Sequence, residues 1–482
     1  MDARDLRPDQ GRDEPIYLQL YRRYRDAIAD GKLSPGVRVP SVRSLASELN
    51  LARGTVETAY QMLVSEGYFL ARGAAGTVVS PQLENLPELS GTQPSLPDVA
   101  RLHAARGADD GGPGEADILP FQMGLPALDA FPRKTWVRLA SRSLRALQTT
   151  TTAMAYPDPA GYAPLRRAIA SYLGISRGIV CSHEQVFVTT GYRGALELVS
   201  RTLLRPGDRG WFEDPGYLIA RRFLERIGLR LTPVPVDAEG LNVTVGVRRA
   251  ARARFAVVTP THQSPMGVAL SLPRRLELLD WASRHNAWVV EDDYDSEFRY
   301  HGRPLPALKS LDRDGRVLYT GTFSKVLFPG LRLAYLVVPE NQVGAFRDAV
   351  GQLSGSGSIL SQVMVADFMA RGHFSRHLRK MRILYAARRR YLVEALAQES
   401  STRLQVHLQA GGMHVLASLR TGHDDRALAA AAWRGGCYVQ PLTEWRLRAR
   451  GPGGLLLGFT NFATAESAMA AVRRLEHVLA RA

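Results

Sequence analysis

Between Pro81 and Ile118 the chain reads PQLENLPELSGTQPSLPDVARLHAARGADDGGPGEADI. Pro, Gly, Asp and Glu dominate there, and no apolar residue recurs at a helix or strand period, so the stretch cannot join a packed core. A chain of 482 residues interrupted in this way must fold as at least two bodies, because each side of the seam has to bury its own apolar surface. The expected organisation is a small unit over 14–80, a flexible linker over 81–118 and a long body over 119–482. No internal repeat is visible.

With 45% hydrophobic and 22% charged residues, the composition is that of an ordinary globular protein. No apolar run reaches the length needed to span a bilayer, and the opening MDARDLRPDQGRDEP is charged where a signal peptide would be apolar. Two cysteines, Cys181 and Cys437, argue against a disulfide framework and fit a reducing compartment. The expectations are a cytoplasmic chain, no membrane partner and no metal site. The 62 lysines plus arginines against 46 acids leave a formal charge of +16. That excess fits a focused basic surface for nucleic acid or acidic ligands, or an arginine-rich composition with no patch at all. Composition leaves both open.

In PIYLQLYRRYRDAIADGKL, Ile16, Leu20, Tyr24 and Ile28 recur at steps of four, an amphipathic helix ending at Gly31. Ser41 is placed as the N-cap of a second helix, VRSLASELN, with Leu45 and Leu49 on its inner side. After a short break, ARGTVETAYQMLVSEG repeats the pattern through Val56, Tyr60 and Leu63 and stops at Gly67. Two short helices joined this tightly make a helix-turn-helix, and YFLARGAAGTVVS reads as two strands around a Gly-rich turn, which would be a wing. The second of the paired helices opens with Arg53, Gly54 and Thr55, so a long cation and a hydroxyl lie at the end that points into a major groove. Arg38, Ser41 and Arg43 are placed to hold phosphates, and Gly76 would let the wing backbone approach a duplex. The ordered set favours double-stranded DNA over a packing module with a solvated basic face.

The run GVRVPSVRSLASELNLARGTVETAYQMLVSEGYFLARGAAGTVV resembles the winged helix-turn-helix of the GntR family of bacterial regulators, across essentially residues 14–80. The resemblance implies DNA contacts at Arg43, Arg53, Thr55 and Gly76. Val42 stands where a serine is frequent in that family.

In the long body, strand-like runs (QVFVTT, RGWFED, RFAVVTP, AWVVED, RVLYTGT, LRLAYLVV) alternate with helical ones. That alternation implies an α/β fold, a mainly parallel sheet between helices, with ligands gathering at the carboxyl ends of strands. The chain has only five lysines: Lys32, Lys134, Lys309, Lys325 and Lys380. Arginine supplies positive charge elsewhere but cannot lose its proton, whereas a lysine can be desolvated and used as a nucleophile. Lys325 follows the apolar strand VLYTGT beside hydroxyl residues.

Other strand ends supply groups that complement it. Gly191, Tyr192 and Arg193 follow VFVTT and open a helix, a phosphate seat. AWVVE is followed by Asp292, Asp293, Tyr294 and Asp295, and a carboxylate at a buried strand end needs a cationic partner. Together these residues can form a complete cradle for pyridoxal 5′-phosphate. Lys325 can form an imine with an aldehyde, Asp292 can pair with a protonated pyridine nitrogen, and Tyr294 can bond the ring's phenolic oxygen. Thr322, Ser324, Arg332 and the helix at Gly191 can hold a phosphate dianion, and Tyr217 in EDPGY can stack on the ring. The blander reading is a surface lysine and a solvated acidic turn; the co-occurrence of both at strand ends favours the cofactor.

YPDPAGYAPLRRAIASYL, TPTHQSPMG, VVEDDYDSEFRY, GTFSKVLFPGLRLAY and GHFSRHLRKMRILYAARR resemble the fold-type-I aminotransferase domain of MocR regulators, which are GntR-headed proteins. The resemblance runs from about Phe121 to the C-terminus. It implies Lys325 as the Schiff-base lysine, Asp292 on the pyridine nitrogen, Tyr294 on the ring hydroxyl, and a homodimer whose heads pack near the partner's body. Two departures stand out. Ser264 occupies the position where true aminotransferases keep an asparagine against the ring hydroxyl. GGLLLGFTN offers leucines where they place the arginine that clamps a substrate carboxylate, with Arg446 and Arg448 nearby. Without a bidentate clamp an α-amino acid is poorly held. The expected function is a transcription regulator that senses pyridoxal phosphate or an amine at Lys325, with no catalytic residues assigned; a working aminotransferase with a DNA-binding appendage is the alternative.

Overall fold

The computed structural model describes residues 8, 15–73, 76–81, 118–147, 156–302, 305–353, 357–400, 402–420 and 424–481. The chain divides into two compact units, Met1–Gly114 and Glu115–Ala482. The linker expected over 81–118 falls almost wholly outside the described residues.

In the first unit, α1 (Ile16–Ala29), α2 (Val42–Leu49) and α3 (Arg53–Ser65) precede a hairpin of β1 (Phe69–Ala71) and β2 (Thr77–Val79). The four-residue spacing of α1 turns Leu20 and Tyr24 inward, where they join Leu45, Leu49, Val56, Ala59 and Leu63. Tyr24, Tyr60 and Phe69 meet edge to face with ring centroids 5.2–5.7 Å apart, each pair adding about 0.5–1.5 kcal/mol beyond its buried area. The Tyr60 hydroxyl donates to the Pro40 carbonyl at 2.9 Å, which ties the approach to α2 onto α3. Asn50 ends α2 in left-handed backbone, a conformation asparagine tolerates, and turns the chain into α3.

The second unit is built on an eight-stranded sheet. Its strands are β3 (Val186–Thr189), β4 (Arg209–Asp214), β5 (Arg230–Asp237), β6 (Gly240–Leu241), β7 (Phe255–Val258), β8 (Trp288–Asp293), β9 (Val317–Thr322) and β10 (Ala334–Val337). They lie in the order β3-β10-β9-β8-β7-β4-β5-β6. β9, β8, β7, β4 and β5 pair in parallel. β10 runs antiparallel between β9 and β3, so β3 points the same way as the parallel set. The expectation of a mainly parallel sheet holds, with β10 reversed. β5 was not legible because it carries Pro233 and Pro235. Outside it lies only the two-residue β6, paired through Val236 and Asp237, so the missing proline N–H groups disturb little of the ladder.

Successive side chains on a strand go to opposite faces, and both faces are covered. Phe187, Phe212, Val290, Leu318 and Leu336 pack against helices Tyr192–Leu203, Leu218–Arg226 and Val343–Gln352. Val186, Val188, Tyr319, Tyr335 and Val337 pack against Ala163–Arg177, Ile359–Ala370 and the long helix His373–Glu399. A four-stranded antiparallel sheet, absent from the sequence expectation, follows: β11 (Leu404–His407), β12 (His414–Leu419), β13 (Gln440–Pro441) and β14 (Gly454–Gly458), in the order β11-β12-β14-β13. Among the described residues no helix is long and apolar enough to cross a membrane.

Candidate functional site

The carboxyl ends of β3, β4, β7, β8 and β9 share one edge of the large sheet. β8 ends in Glu291, Asp292 and Asp293, and the strand's alternation separates them. Asp293 faces the helix Ala163–Arg177, where Arg177 Nε lies 2.7 Å from its carboxylate and Tyr319 donates to it at 2.6 Å. Glu291 accepts the backbone N–H groups of Leu308 and Lys309, each at 2.8 Å, and burial, reinforced by Asp293, pushes it up to about 7. Asp292 turns to the other face and has no ion-pair partner among the described residues. Burial pushes its carboxyl up to about 8, against the pull of the Tyr192 hydroxyl beside it. A carboxyl in that position is complementary to a cation and to little else.

Lys325 sits on the short helical turn Phe323–Val326 that follows β9. Thr322 caps this turn by accepting the Ser324 N–H at 3.1 Å, so the two expected hydroxyl residues first of all hold the lysine's backbone. Lys325 Nζ donates to the Gly124 carbonyl at 2.8 Å. Burial holds its ammonium below the usual lysine range, while Asp295 and Asp292 act in the opposite direction. The Tyr294 hydroxyl, pushed up by burial, has Ser264 beside it and lies 3.0 Å from His262 Nδ1. The Tyr217 ring lies between Tyr192 and Trp445, with centroids 6.0 and 5.9 Å away. Tyr217, Tyr192, Asp292, Lys325, Tyr294 and Ser264 thus form one connected group.

The residues expected to hold an anion are less tightly gathered. Gly191 precedes the helix Tyr192–Leu203, and no side chain caps that helix. Its first-turn N–H groups and dipole form a seat for a dianion, with Arg193 exposed at the second position. Arg332 is exposed, in left-handed backbone at φ 48°, with no side-chain partner among the described residues. A half-buried amine, a buried carboxyl with no ion-pair partner among the described residues, a phenol and an uncapped helix start make a donor set that fits pyridoxal 5′-phosphate.

In the head, Arg43 and Arg53 are exposed and Thr55 is half-buried in the first turn of α3. Ser41 caps α2 by accepting the Ser44 N–H at 3.1 Å, which leaves its hydroxyl proton free to donate. Gly76 is held close by its own unit: a Cβ there would come within 2.9 Å of the Arg38 guanidinium, and φ is +88°. Arg38 therefore packs under the wing, and the glycine is needed for that contact.

A model of the aminotransferase class I and II family matches residues 119–456, and a model of the bacterial regulatory proteins of the gntR family matches 16–79. The probable rhizopine catabolism regulatory protein MocR of Rhizobium meliloti is 37% identical over 456 residues, covering 94% of this chain and 91% of its own. The chain belongs to the MocR group of GntR regulators. The pyridoxine biosynthesis transcriptional regulator PdxR of Corynebacterium glutamicum is 33% identical over 403 residues, 83% of each chain. Among solved structures, an α-aminoadipate aminotransferase of Thermus thermophilus, complexed with N-(5′-phosphopyridoxyl)-L-leucine, matches with a TM-score of 0.68 at 31% identity, covering 76% of this chain and 92% of its own. This MocR regulator is thus a DNA-binding transcription regulator whose body has the aminotransferase fold.

The leucines and arginines that the sequence places near the expected carboxylate clamp have definite surroundings in the structure. Leu456 of β14 is fully buried with Leu416, Leu442 and Trp445, and Met123, Tyr217 and Met266 pack against that cluster. Arg446 donates to the carbonyls of Gly451 and Pro452 at 2.9 and 2.7 Å, and Arg221 donates to those of Arg446 and Glu444 at 3.0 and 3.2 Å. Both arginines tie down the 444–452 loop, which Asp214 also holds by accepting three of its N–H groups. Sequence reasoning missed Arg177 and His262, and named Asp295 without assigning it a role. The one signal for His262 and Asp295 was their adjacency to Ser264 and Tyr294.

Proposed function

We propose that this regulator reads its effector at the Lys325 site, with pyridoxal 5′-phosphate as the bound cofactor. The observation that carries the proposal is the meeting of a desolvated lysine and an unpaired buried carboxyl, Asp292, at the sheet edge of a chain that also has a DNA-reading head. Bound there, pyridoxal phosphate supplies an aldehyde that amines can capture and an electron-poor ring. Lys325 presents the amine, and its lowered proton affinity keeps more of it nucleophilic at neutral pH. Asp292 stabilises a proton on the ring nitrogen, because a cation there relieves the cost of its burial. Tyr294 and Ser264 face the ring oxygen, Tyr217 covers the ring, and Gly191, Tyr192, Arg193, Thr322, Ser324 and Arg332 hold the phosphate.

The same proposal assigns residues 14–80 to DNA reading, 81–118 to a linker and 119–482 to the effector body. Arg53 and Thr55 meet base edges, while Arg38, Ser41, Arg43 and Gly76 meet or support contacts to the backbone. Two heads, and hence a homodimer, suit a two-fold operator, and the setting is the cytoplasm. The effector is the cofactor itself or an amine that displaces Lys325. Either acts only if it favours one arrangement of the heads over another.

A working aminotransferase remains the second reading, favoured by the complete Lys325, Asp292 and Tyr294 set. The buried Leu456 wall and the committed guanidinium of Arg446 weigh against it. The deciding experiment titrates operator DNA with the full chain, with and without pyridoxal phosphate and candidate amines, while following the visible spectrum. A DNA affinity that responds to these ligands, with at most slow half-reactions, supports the sensor. Robust turnover of an amino donor with a keto acid, at constant DNA affinity, overturns it.

A further inference from the structure

Behind the Tyr294 hydroxyl, two polar groups, that hydroxyl and the Asp295 carboxylate, meet at a single ring nitrogen. His262 Nδ1 lies 3.0 Å from the tyrosine oxygen and 3.1 Å from the Asp295 carboxylate. His262 and Asp295 are 7% and 1% exposed. The imidazole cannot swing away. A Cβ on Gly412 would lie 2.2 Å from its Cε1, and one on Gly267 would lie 2.9 Å from its Nε2, so two glycine backbones wrap the ring. The other titratable groups facing the cluster are His414, Lys325, Asp292, Glu213 and Tyr300. His414, its ring 5.9 Å from that of His262, is pushed down to about 4 by burial and by His262. It is therefore neutral and donates from Nε2 to the Pro265 carbonyl at 3.1 Å.

The chemistry at Nδ1 has one consistent solution. A bare nitrogen would turn its lone pair toward the Asp295 carboxylate, whereas Nδ1–H donates to its Oδ1, so Asp295 selects the Nδ1–H tautomer. Tyr294 oxygen then meets a donor on that side, and its own proton must be offered elsewhere. We propose that Asp295 and His262 are positioning residues that make Tyr294 a hydrogen-bond donor toward the ligand in the Lys325 site. With Ser264 where an asparagine would supply a second fixed donor, Tyr294 is the group that stabilises negative charge on the ring oxygen. The proposal rests on the pyridoxal-phosphate reading.

The test uses the full-length protein loaded with pyridoxal phosphate and records the pH midpoint at which its visible absorption changes. Losing an oriented donor makes the ring oxygen more basic. His262→Ala and Asp295→Asn should therefore raise the midpoint by about one unit, roughly tenfold in proton affinity. His262→Asn, whose amide N–H can replace Nδ1–H, should stay near wild type. Adding His262→Ala to Tyr294→Phe should produce no further shift, since the histidine acts through the tyrosine. An unmoved midpoint in a folded His262→Ala protein, or full additivity with Tyr294→Phe, overturns the assignment. If His262→Ala does not fold, Asp295→Asn and His262→Asn carry the same opposed expectations. A wild-type protein that never colours would instead remove the cofactor reading beneath the proposal.

Discussion

Arg43 and Arg53 in the head stand exposed, whereas Asp292 and Asp293 in the body are each 6% exposed. The first pair costs the fold almost nothing and gains energy only when phosphates or bases arrive. The second pair has lost its water and must be balanced within the structure. Asp293 is balanced by Arg177 and Tyr319; Asp292 has the Tyr192 hydroxyl beside it but no ion-pair partner among the described residues. A charge free in solvent is therefore a statement about a partner. A buried carboxyl without a cation, kept protonated by its burial, is a statement about a ligand.

The comparison breaks first at Lys325. Lys325→Ala should abolish the visible absorbance of the pyridoxal-phosphate-loaded protein while the far-ultraviolet circular dichroism is unchanged. Retained colour would mean another amine captures the aldehyde. Next comes the balanced carboxylate: Arg177→Met strands Asp293 in the interior and should cost about 3–5 kcal/mol in chemical denaturation. A loss below about 1 kcal/mol would show that the pair is hydrated after all.

Asp292 sharpens the contrast through pH. Its carboxyl at about 8, like those of Glu213 and Glu291 at about 7, lies above the unfolded value of about 4. The native state thus holds protons that the unfolded chain has released. Stability of the cofactor-free protein should fall as pH rises through this window, toward about 8. Asp292→Asn removes one contributor, so melting temperatures measured from pH 5 to 8 should decline less steeply than in the wild type. Identical slopes would place Asp292 in water. The smallest effect on the fold belongs to the head: Arg53→Ala should leave stability within about 0.5 kcal/mol yet weaken operator binding by about 1–3 kcal/mol. Unaltered binding would dismiss α3 as the reading helix.

The head was largely legible because its three helices carry regular spacing (Leu20 and Tyr24, Leu45 and Leu49, Val56 and Tyr60) and its boundaries are marked by Ser41 and Gly67. In the body, strands covered on both faces appear as apolar runs, so β8 and β9 and the residues just beyond them were readable, including Asp292, Tyr294 and Lys325. β5 was hidden by its prolines. The small sheet was hidden because its strands are short and come from separated stretches. Arg446 lies near the missing clamp in the sequence, but its hydrogen bonds to Gly451 and Pro452 commit it to a loop.

Local order in this protein, meaning which stretches are helix or strand and which residues follow each strand, was written in the amino-acid sequence because backbone geometry imposes periods of 3.6 and 2 on burial. The pairing of Arg177 with Asp293, the placing of Asp292 beside Tyr192 rather than an arginine and the Asp295–His262–Tyr294 contact were decided by the tertiary structure. Each joins segments that only sheet alternation and chain crossing bring together, and the energy of a buried charge depends on the neighbours so acquired rather than on its place in the chain.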